Sequence, residues 1–253
     1  MKQILNQFRW TFLLAVFKLK RSVLAFFAVR RLDFIDKNIF IKTETLREYE
    51  TRAQSCAKEP ETCAWLSMVS REGRVVYDIG ANVGAYSLIA ASLGATVFAF
   101  EPSPENYAAL HANMRLNDLE NRIVPLPFVL GSQSSIARFV VPDVSSGATA
   151  GFVSGRSRET EGTPLVAFTL DSLRSQLSLS PPHAIKIDVD GGEVEVLRGA
   201  TTLLANSELS DILIEVEDAL LSTVRSMLEG FGFVEVALHE RHAGVHNVIF
   251  RRS

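Results

Sequence analysis

Val75-Val76-Tyr77-Asp78-Ile79-Gly80-Ala81-Asn82-Val83-Gly84 decides how this 253-residue chain is read. A largely apolar, β-branched run breaks into a turn with two glycines, and a helical pattern follows. A second apolar run, Thr96-Val97-Phe98-Ala99-Phe100, ends on Glu101. A glycine turn after one strand, with an acid at the tip of the next, is how an open α/β sheet holds a nucleoside. The glycines admit close backbone approach and the acid accepts hydrogen bonds from ribose hydroxyls. A dinucleotide site calls for G-x-G-x-x-G and a helix N-terminus aimed at a pyrophosphate. Here Gly80-Ala81-Asn82-Val83-Gly84 lacks the G-x-G element, and Asp78 stands on the strand just before the turn. S-adenosylmethionine carries a sulfonium and an ammonium but no phosphate, so an acid beside the turn suits it better. The motif therefore ranks methyl transfer above nicotinamide redox chemistry. The plain alternative, a βα unit that binds nothing, conflicts with the acids at both strand tips.

Working outward, strands are expected at 74–79, 96–101, 123–129, 184–190, 211–217, 233–239 and 246–252. Helices are expected at 83–93, 104–117, 193–205 and 218–230. Strands that alternate with helices imply a mostly parallel sheet covered on both faces. The last two strands are joined by a connection too short for a helix, so the final strand is expected to run antiparallel. Ser103-Pro104 is a cap and first-turn pair for the second helix. Residues 51–72 also look helical, with Pro60 and Glu61 suited to a first turn. The stretch 131–165 interrupts the rhythm: a short strand at 136–141, a Ser/Gly/Ala/Thr loop at 145–151, and a polar run at 155–162. An insertion of this length inside a compact sheet points to a flap over the substrate, set against a plain surface excursion.

The chain length suits one large α/β domain at 51–253 with an N-terminal extension at 1–50. A net charge of −3 gives no electrostatic footprint for nucleic acid. Cys56 and Cys63 form no CxxC pair and no disulfide framework, which favours a reducing, cytoplasmic setting and ordinary packing for both. The apolar runs at 10–17 and 23–29 are split by Lys18, Lys20 and Arg21, and neither reaches the roughly 20 residues of a membrane span. Two readings of the extension stay open. One is a helical cap packed on the domain or on a second subunit. The other is a basic amphipathic segment over residues 1–31 lying on a membrane surface.

Three motifs in order, Asp78-Ile-Gly-Ala-Asn-Val-Gly, Phe100-Glu101-Pro-Ser-Pro-Glu-Asn106 and Ile185-Lys-Ile-Asp188-Val-Asp190-Gly-Gly-Glu193, resemble those of the FkbM-type methyltransferases. The resemblance covers roughly residues 50–252 and extends to Lys58-Glu59-Pro60-Glu61-Thr62 and Leu170-Asp171-Ser172-Leu173. It implies a class I methyltransferase fold of strand order 3-2-1-4-5-7-6, S-adenosyl-L-methionine as cofactor, and O-methylation of a sugar, glycan or small natural product. Carried onto this chain, it implies cofactor contacts from Asp78, Gly80, Asn82, Gly84, Glu101 and Asn106, with Glu59 and Thr62 from the upstream stretch.

The reacting end is read from the strand-four segment Lys186-Ile187-Asp188-Val189-Asp190. Alternation sets its three polar side chains on one face, where a buried parallel strand is ordinarily apolar. Asp188 and Asp190 fall at the carboxyl end of the strand, and Glu215 holds the equivalent position on strand five. Open α/β sheets bind ligands at that end. Two roles follow. In one, Asp188 or Asp190 is the base or orienter of an acceptor hydroxyl, with Glu215 in support. In the other, the acids hold a divalent metal that acidifies the hydroxyl. Catechol-type methyltransferases of the second kind carry a lysine just after the strand-four acid, where this chain has Gly191-Gly192, so the first role is preferred. Lys186 is read as neutralising the acids. His239, His242 and His246 span a turn with no cysteine nearby and are read as a loop cluster, not a metal site. The competing functional classes are a nicotinamide oxidoreductase and a non-catalytic, membrane-docked scaffold.

Overall fold

The computed structural model describes residues 28–43, 51–140, 151–152 and 163–253. The centre is a seven-stranded sheet. Its strands, in chain order, are β3 (Val75–Ile79), β4 (Thr96–Phe100), β5 (Ile123–Leu126), β10 (Ala184–Ile187), β11 (Asp211–Glu217), β12 (Phe233–His242) and β13 (Val245–Arg252). They lie side by side as β12-β13-β11-β10-β3-β4-β5. Counted along the chain this is the order 3-2-1-4-5-7-6. Only β13 runs against the rest, pairing antiparallel with both β11 and β12 across the short Ala243-Gly244 turn.

Each central strand feeds two cores. Val76, Val97 and Ala99 point into one apolar cluster, and Tyr77, Ile79, Phe98 and Phe100 into the other. That is why these strands read as nearly unbroken apolar runs. The first face is covered by α2 (Pro60–Val69), α3 (Ala85–Ser92) and α4 (Pro104–Leu116). The second is covered by α5 (Leu170–Gln176), α6 (Glu193–Arg198), α7 (Thr201–Leu204) and α8 (Asp218–Glu229). Pro60 and Pro104 occupy first-turn positions, and the Ser103 hydroxyl caps α4 by accepting from Asn106 N–H. A one-turn helix, α1 (Ser55–Lys58), precedes α2.

Five regions depart from the sequence expectation. The strand expected at 184–190 ends at Ile187, so Asp188 and Asp190 stand in the turn beyond it, where Asp190 adopts φ 53°. The 123–129 strand ends at Leu126, and the chain then continues as β6 (Val129–Leu130) in a different sheet. There β6, β7 (Ser135–Val140), β8 (Gly151–Phe152) and β9 (Thr163–Phe168) form a four-stranded layer of order β6-β9-β7-β8. The described part of the insertion is therefore sheet, while the loop and polar runs at 141–150 and 153–162 lie outside the described residues. The helix expected at 193–205 divides at Gly199-Ala200. A side chain at Gly199 would come within 2.1 Å of the Gly131 carbonyl, so the chain must turn at this close contact. Helix α5 was not anticipated, although Thr169 is a good cap: its hydroxyl accepts from Ser172 N–H.

The fifth departure is the extension. Residues 28–43 form an antiparallel ribbon, β1 (Val29–Arg31) with β2 (Phe40–Lys42), where a helix was expected. Leu32, Phe34, Ile39 and Ile41 are buried in the same cluster as Trp65 and Leu66. Asn113 of α4 and Asn117 just past its end accept from the backbone N–H groups of Lys42 and Phe40 and satisfy the ribbon's edge. Residues 1–27, which carry most of the apolar and basic runs, lie outside the described residues. Among the described residues no helix is long and apolar enough to cross a membrane.

Candidate cofactor and acceptor site

The tips of β3, β4, β10 and β11 meet at one crevice. Gly80 is its pivot, with φ +82° and no room for a side chain: a Cβ would stand 1.8 Å from the Asp188 carbonyl oxygen. The glycine is thus required by contact between the β3 and β10 turns, before any ligand is considered. Gly84 opens α3 at φ +90°, and a Cβ there would meet Leu110 Cδ1 at 2.4 Å. Between them Asn82 also adopts the left-handed region, φ 52°, which asparagine tolerates better than most residues.

Glu101 ties this turn to its own strand. Its two carboxylate oxygens accept from Asn82 N–H at 2.7 Å and Ser103 N–H at 2.9 Å, and the Asn106 side chain adds a further bond. The group is almost fully buried, and burial pushes it up to about 7 despite those donors. On one side of Gly80 lies a small apolar cavity lined by Ile79, Phe100, Pro102, Phe128, Leu130 and Val189.

On the other side of Gly80 lies a larger charged cavity of about 190 Å³. Its walls carry Glu59, Tyr86, Lys186, Asp188, Glu215 and Arg241, with Arg52, Lys58, Asp190 and His242 also lining it. Lys186 is fully buried, its Nζ 2.8 Å from Asp188 Oδ2, 3.9 Å from Asp78 Oδ1 and 5.0 Å from the centre of the Tyr86 ring. Burial alone would lower this amine, but the carboxylates of Asp188, Asp78 and Glu59 outweigh it and hold Lys186 firmly protonated. Burial likewise opposes ionisation of Asp188, yet Lys186 overcomes it and keeps that carboxyl below its ordinary range. Glu215 behaves oppositely: burial first, then the neighbouring Asp188 charge, push it up to about 7. Two carboxylates in one cavity are thus driven apart, one a fixed anion and one poised to titrate near neutrality.

The three acids read from the strand tips do converge: ligand oxygens of Asp188, Asp190 and Glu215 lie within 4.8 Å of one another. Two cations already face this charge. Lys186 takes Asp188, and Arg241 Nε lies 3.4 Å from Glu215 Oε2. The three histidines do not converge. His242 lines the cavity, while His246 Nε2 lies 2.6 Å from Asp218 Oδ1.

Other residues from the sequence reading take supporting places. Asp78 stands behind Lys186, accepting from the Ser87 hydroxyl at 2.6 Å, with its second oxygen buried and without a hydrogen-bond partner among the described residues. Thr62 is buried behind Glu59, donating to its Oε2 at 3.2 Å. Glu193 Oε1 accepts from Gly191 N–H at 3.0 Å and holds the turn after β10. Glu195 pairs with Arg198. Sequence reading missed Arg241. From β12 it donates to Glu59 Oε1 at 2.6 Å and to the Lys58 carbonyl at 2.7 Å, binding the α1–α2 corner to the crevice. No local pattern marks it, because its partners are 26, 182 and 183 residues away.

The Methyltransferase FkbM domain family matches residues 78–240. The chain is 28% identical over 166 residues to the hexuronic acid methyltransferase AglP of Haloferax volcanii, covering 65% of each protein. It is 27% identical over 217 residues to the 31-O-demethyl-FK506 methyltransferase FkbM of Streptomyces tacrolimicus, covering 72% of this chain and 82% of that one. Among solved structures, wild-type Trm5b from Pyrococcus abyssi superposes with a TM-score of 0.50 at 18% identity, over 88% of this chain and 56% of that one, and shares the fold. With the family match spanning all three strand-tip motifs, the chain belongs to the FkbM methyltransferase domain family.

Proposed function

We propose that this chain binds S-adenosyl-L-methionine across Gly80 and methylates a hydroxyl of a sugar or small natural product. The observation that carries the reading is the pair of cavities that meet at Gly80, one apolar and one charged, with the Glu101 carboxylate at the adjoining strand tip. These residues fit the cofactor. The apolar cavity with Phe100 and Phe128 suits an adenine face, Glu101 has lone pairs left for ribose hydroxyls, and the ionised Asp188 carboxylate suits an ammonium and a sulfonium.

When bound, the cofactor supplies a methyl group on an electrophilic sulfonium. The chain has to orient the acceptor oxygen, exclude water and take up its proton. Glu215 is the base in this reading, because its carboxyl titrates close to neutral pH and lies in the cavity. Asp188, kept ionised by Lys186, is a poor proton acceptor and a good orienter. Arg241 positions Glu215. Of the acceptor types named for the two relatives, the cavity favours the more polar. Arg52, Lys58 and Arg241 line it and suit an acceptor that carries a carboxylate beside its hydroxyls, as a hexuronic acid does.

The test is methyl transfer, followed by the mass of the product, to a hexuronic acid glycoside, the matched neutral hexoside and a hydroxylated macrolide. Methylation of the uronide in preference to the neutral sugar is expected. Transfer to the macrolide alone would overturn the choice of acceptor, and transfer to none, with no cofactor consumed, would overturn the reading as a whole.

A further inference from the structure

Cys56 and Cys63 stand seven positions apart in a sequence that gives no reason to pair them. In the structure they meet. Cys56 is on α1 and Cys63 in the first turns of α2, and their sulfurs lie 2.7 Å apart. A disulfide bond is about 2.05 Å long, so little movement separates the two thiols from a bond. Cys63 is buried at 7% exposure, while Cys56 is half-buried and is the sulfur a reagent can reach. The segment between them contains Lys58 and Glu59. Both line the charged cavity, and both are contacted by Arg241: Glu59 by ion pair, Lys58 through its carbonyl.

We propose that Cys56 and Cys63 are a reversible modification site, closed to a disulfide by low-molecular-weight disulfides, that locks the α1–α2 corner on which Glu59 is held. The step balances as two exchanges. The Cys56 thiolate attacks one sulfur of the oxidant and releases one reduced thiol. The Cys63 sulfur then attacks Cys56 Sγ in the mixed disulfide and releases the second. Two electrons pass from the protein sulfurs to the oxidant, and the two thiol protons end on the released thiols. The enclosed loop is short, so the bond adds modestly to overall stability, and its effect is local. The contact with Cys63, burial and the Asp33 carboxylate all hold the Cys56 thiol up. The pair therefore reacts slowly at neutral pH, because the thiolate is the nucleophile.

The experiment treats the full chain with excess oxidised glutathione in mildly alkaline buffer. Intact mass and hydrogen exchange are followed before and after reduction, with Cys63→Ser alongside. The expected product is a monomer lighter by two hydrogen atoms, with no alkylatable thiol and slower exchange of the amides between Ala57 and Thr62. All of this should reverse with a thiol reductant. Cys63→Ser should instead accumulate one glutathione on Cys56. A wild-type protein that stops at the glutathione adduct, or keeps two free thiols, would overturn the proposal. So would a disulfide that leaves exchange of this corner unchanged. None of these readouts depends on the cofactor or the acceptor.

Discussion

The two sides of Gly80 are built from different kinds of sequence information. The side toward Glu101 is local: Asp78 to Gly84 makes the turn, Phe100 to Asn106 makes the acid and its cap, and every bond to Glu101 comes from within 19 residues. The charged side is assembled from four distant places. Glu59 on the α1–α2 corner, Lys186 on β10 with Asp188 just past its end, Glu215 on β11 and Arg241 on β12 share one cavity. The first side can be changed one residue at a time with local consequences. On the second, each ion pair sets the charge state of its neighbours.

The sharpest way to break this contrast is at the pivot shared by both sides. Gly80→Ala forces a Cβ against the Asp188 carbonyl and a left-handed backbone, and is expected to cost at least about 3 kcal/mol and to lower the melting temperature markedly. A thermal melt unchanged from wild type would mean the two turns can separate freely.

On the charged side, Glu215→Gln removes the proposed base and is expected to lower turnover about 10²–10⁴-fold while leaving cofactor affinity nearly unchanged. Single-turnover rates together with binding isotherms separate the two effects. Asp188→Asn, by contrast, strips the countercharge from Lys186, a positioning effect that should alter cofactor or acceptor binding as well as rate.

A smaller effect tests the coupling itself. In the wild type, turnover should rise with pH as Glu215 deprotonates around 7. Arg241 is among the charges that lower the Glu215 value, so Arg241→Gln should move this rise to higher pH. A pH–rate profile that keeps its midpoint in the variant would place the base elsewhere. The smallest expected effect is on stability. Glu101 and Glu215 both titrate near 7 in the folded chain, above the ordinary 4.5. Each contributes stability that is complete below pH 4.5 and is lost as pH rises through 7. In the ligand-free protein Glu215→Gln should flatten part of that decline, which urea titrations across this range can follow.

The same contrast explains what could be read in advance. The central strands were legible because both faces are buried and their apolar runs are short and bounded by turn residues. The antiparallel β13 was legible from loop length alone. Asp188, Asp190 and Glu215 were found because polar residues at the carboxyl ends of buried strands stand out. What escaped notice depends on distant contact. Arg241 is unremarkable on an exposed-looking strand, Cys56 and Cys63 meet only because α1 and α2 bring them together, and the β1–β2 ribbon is specified by Asn113 and Asn117 at the end of α4. Thr62 and Asp78 were located by motif, yet their roles follow from the side chains they support.

The central claim is that Glu101, on the local side of Gly80, anchors the cofactor, and Glu215, on the distant side, does the chemistry. Calorimetric titration of S-adenosylhomocysteine into the wild type, Glu101→Ala and Glu215→Gln tests it most directly. The account predicts binding in the roughly micromolar range for the wild type. Affinity should weaken at least about tenfold in Glu101→Ala, as befits loss of charged hydrogen bonds, and should be nearly unchanged in Glu215→Gln. Equal affinity in Glu101→Ala and wild type, or loss of binding in Glu215→Gln alone, would contradict it.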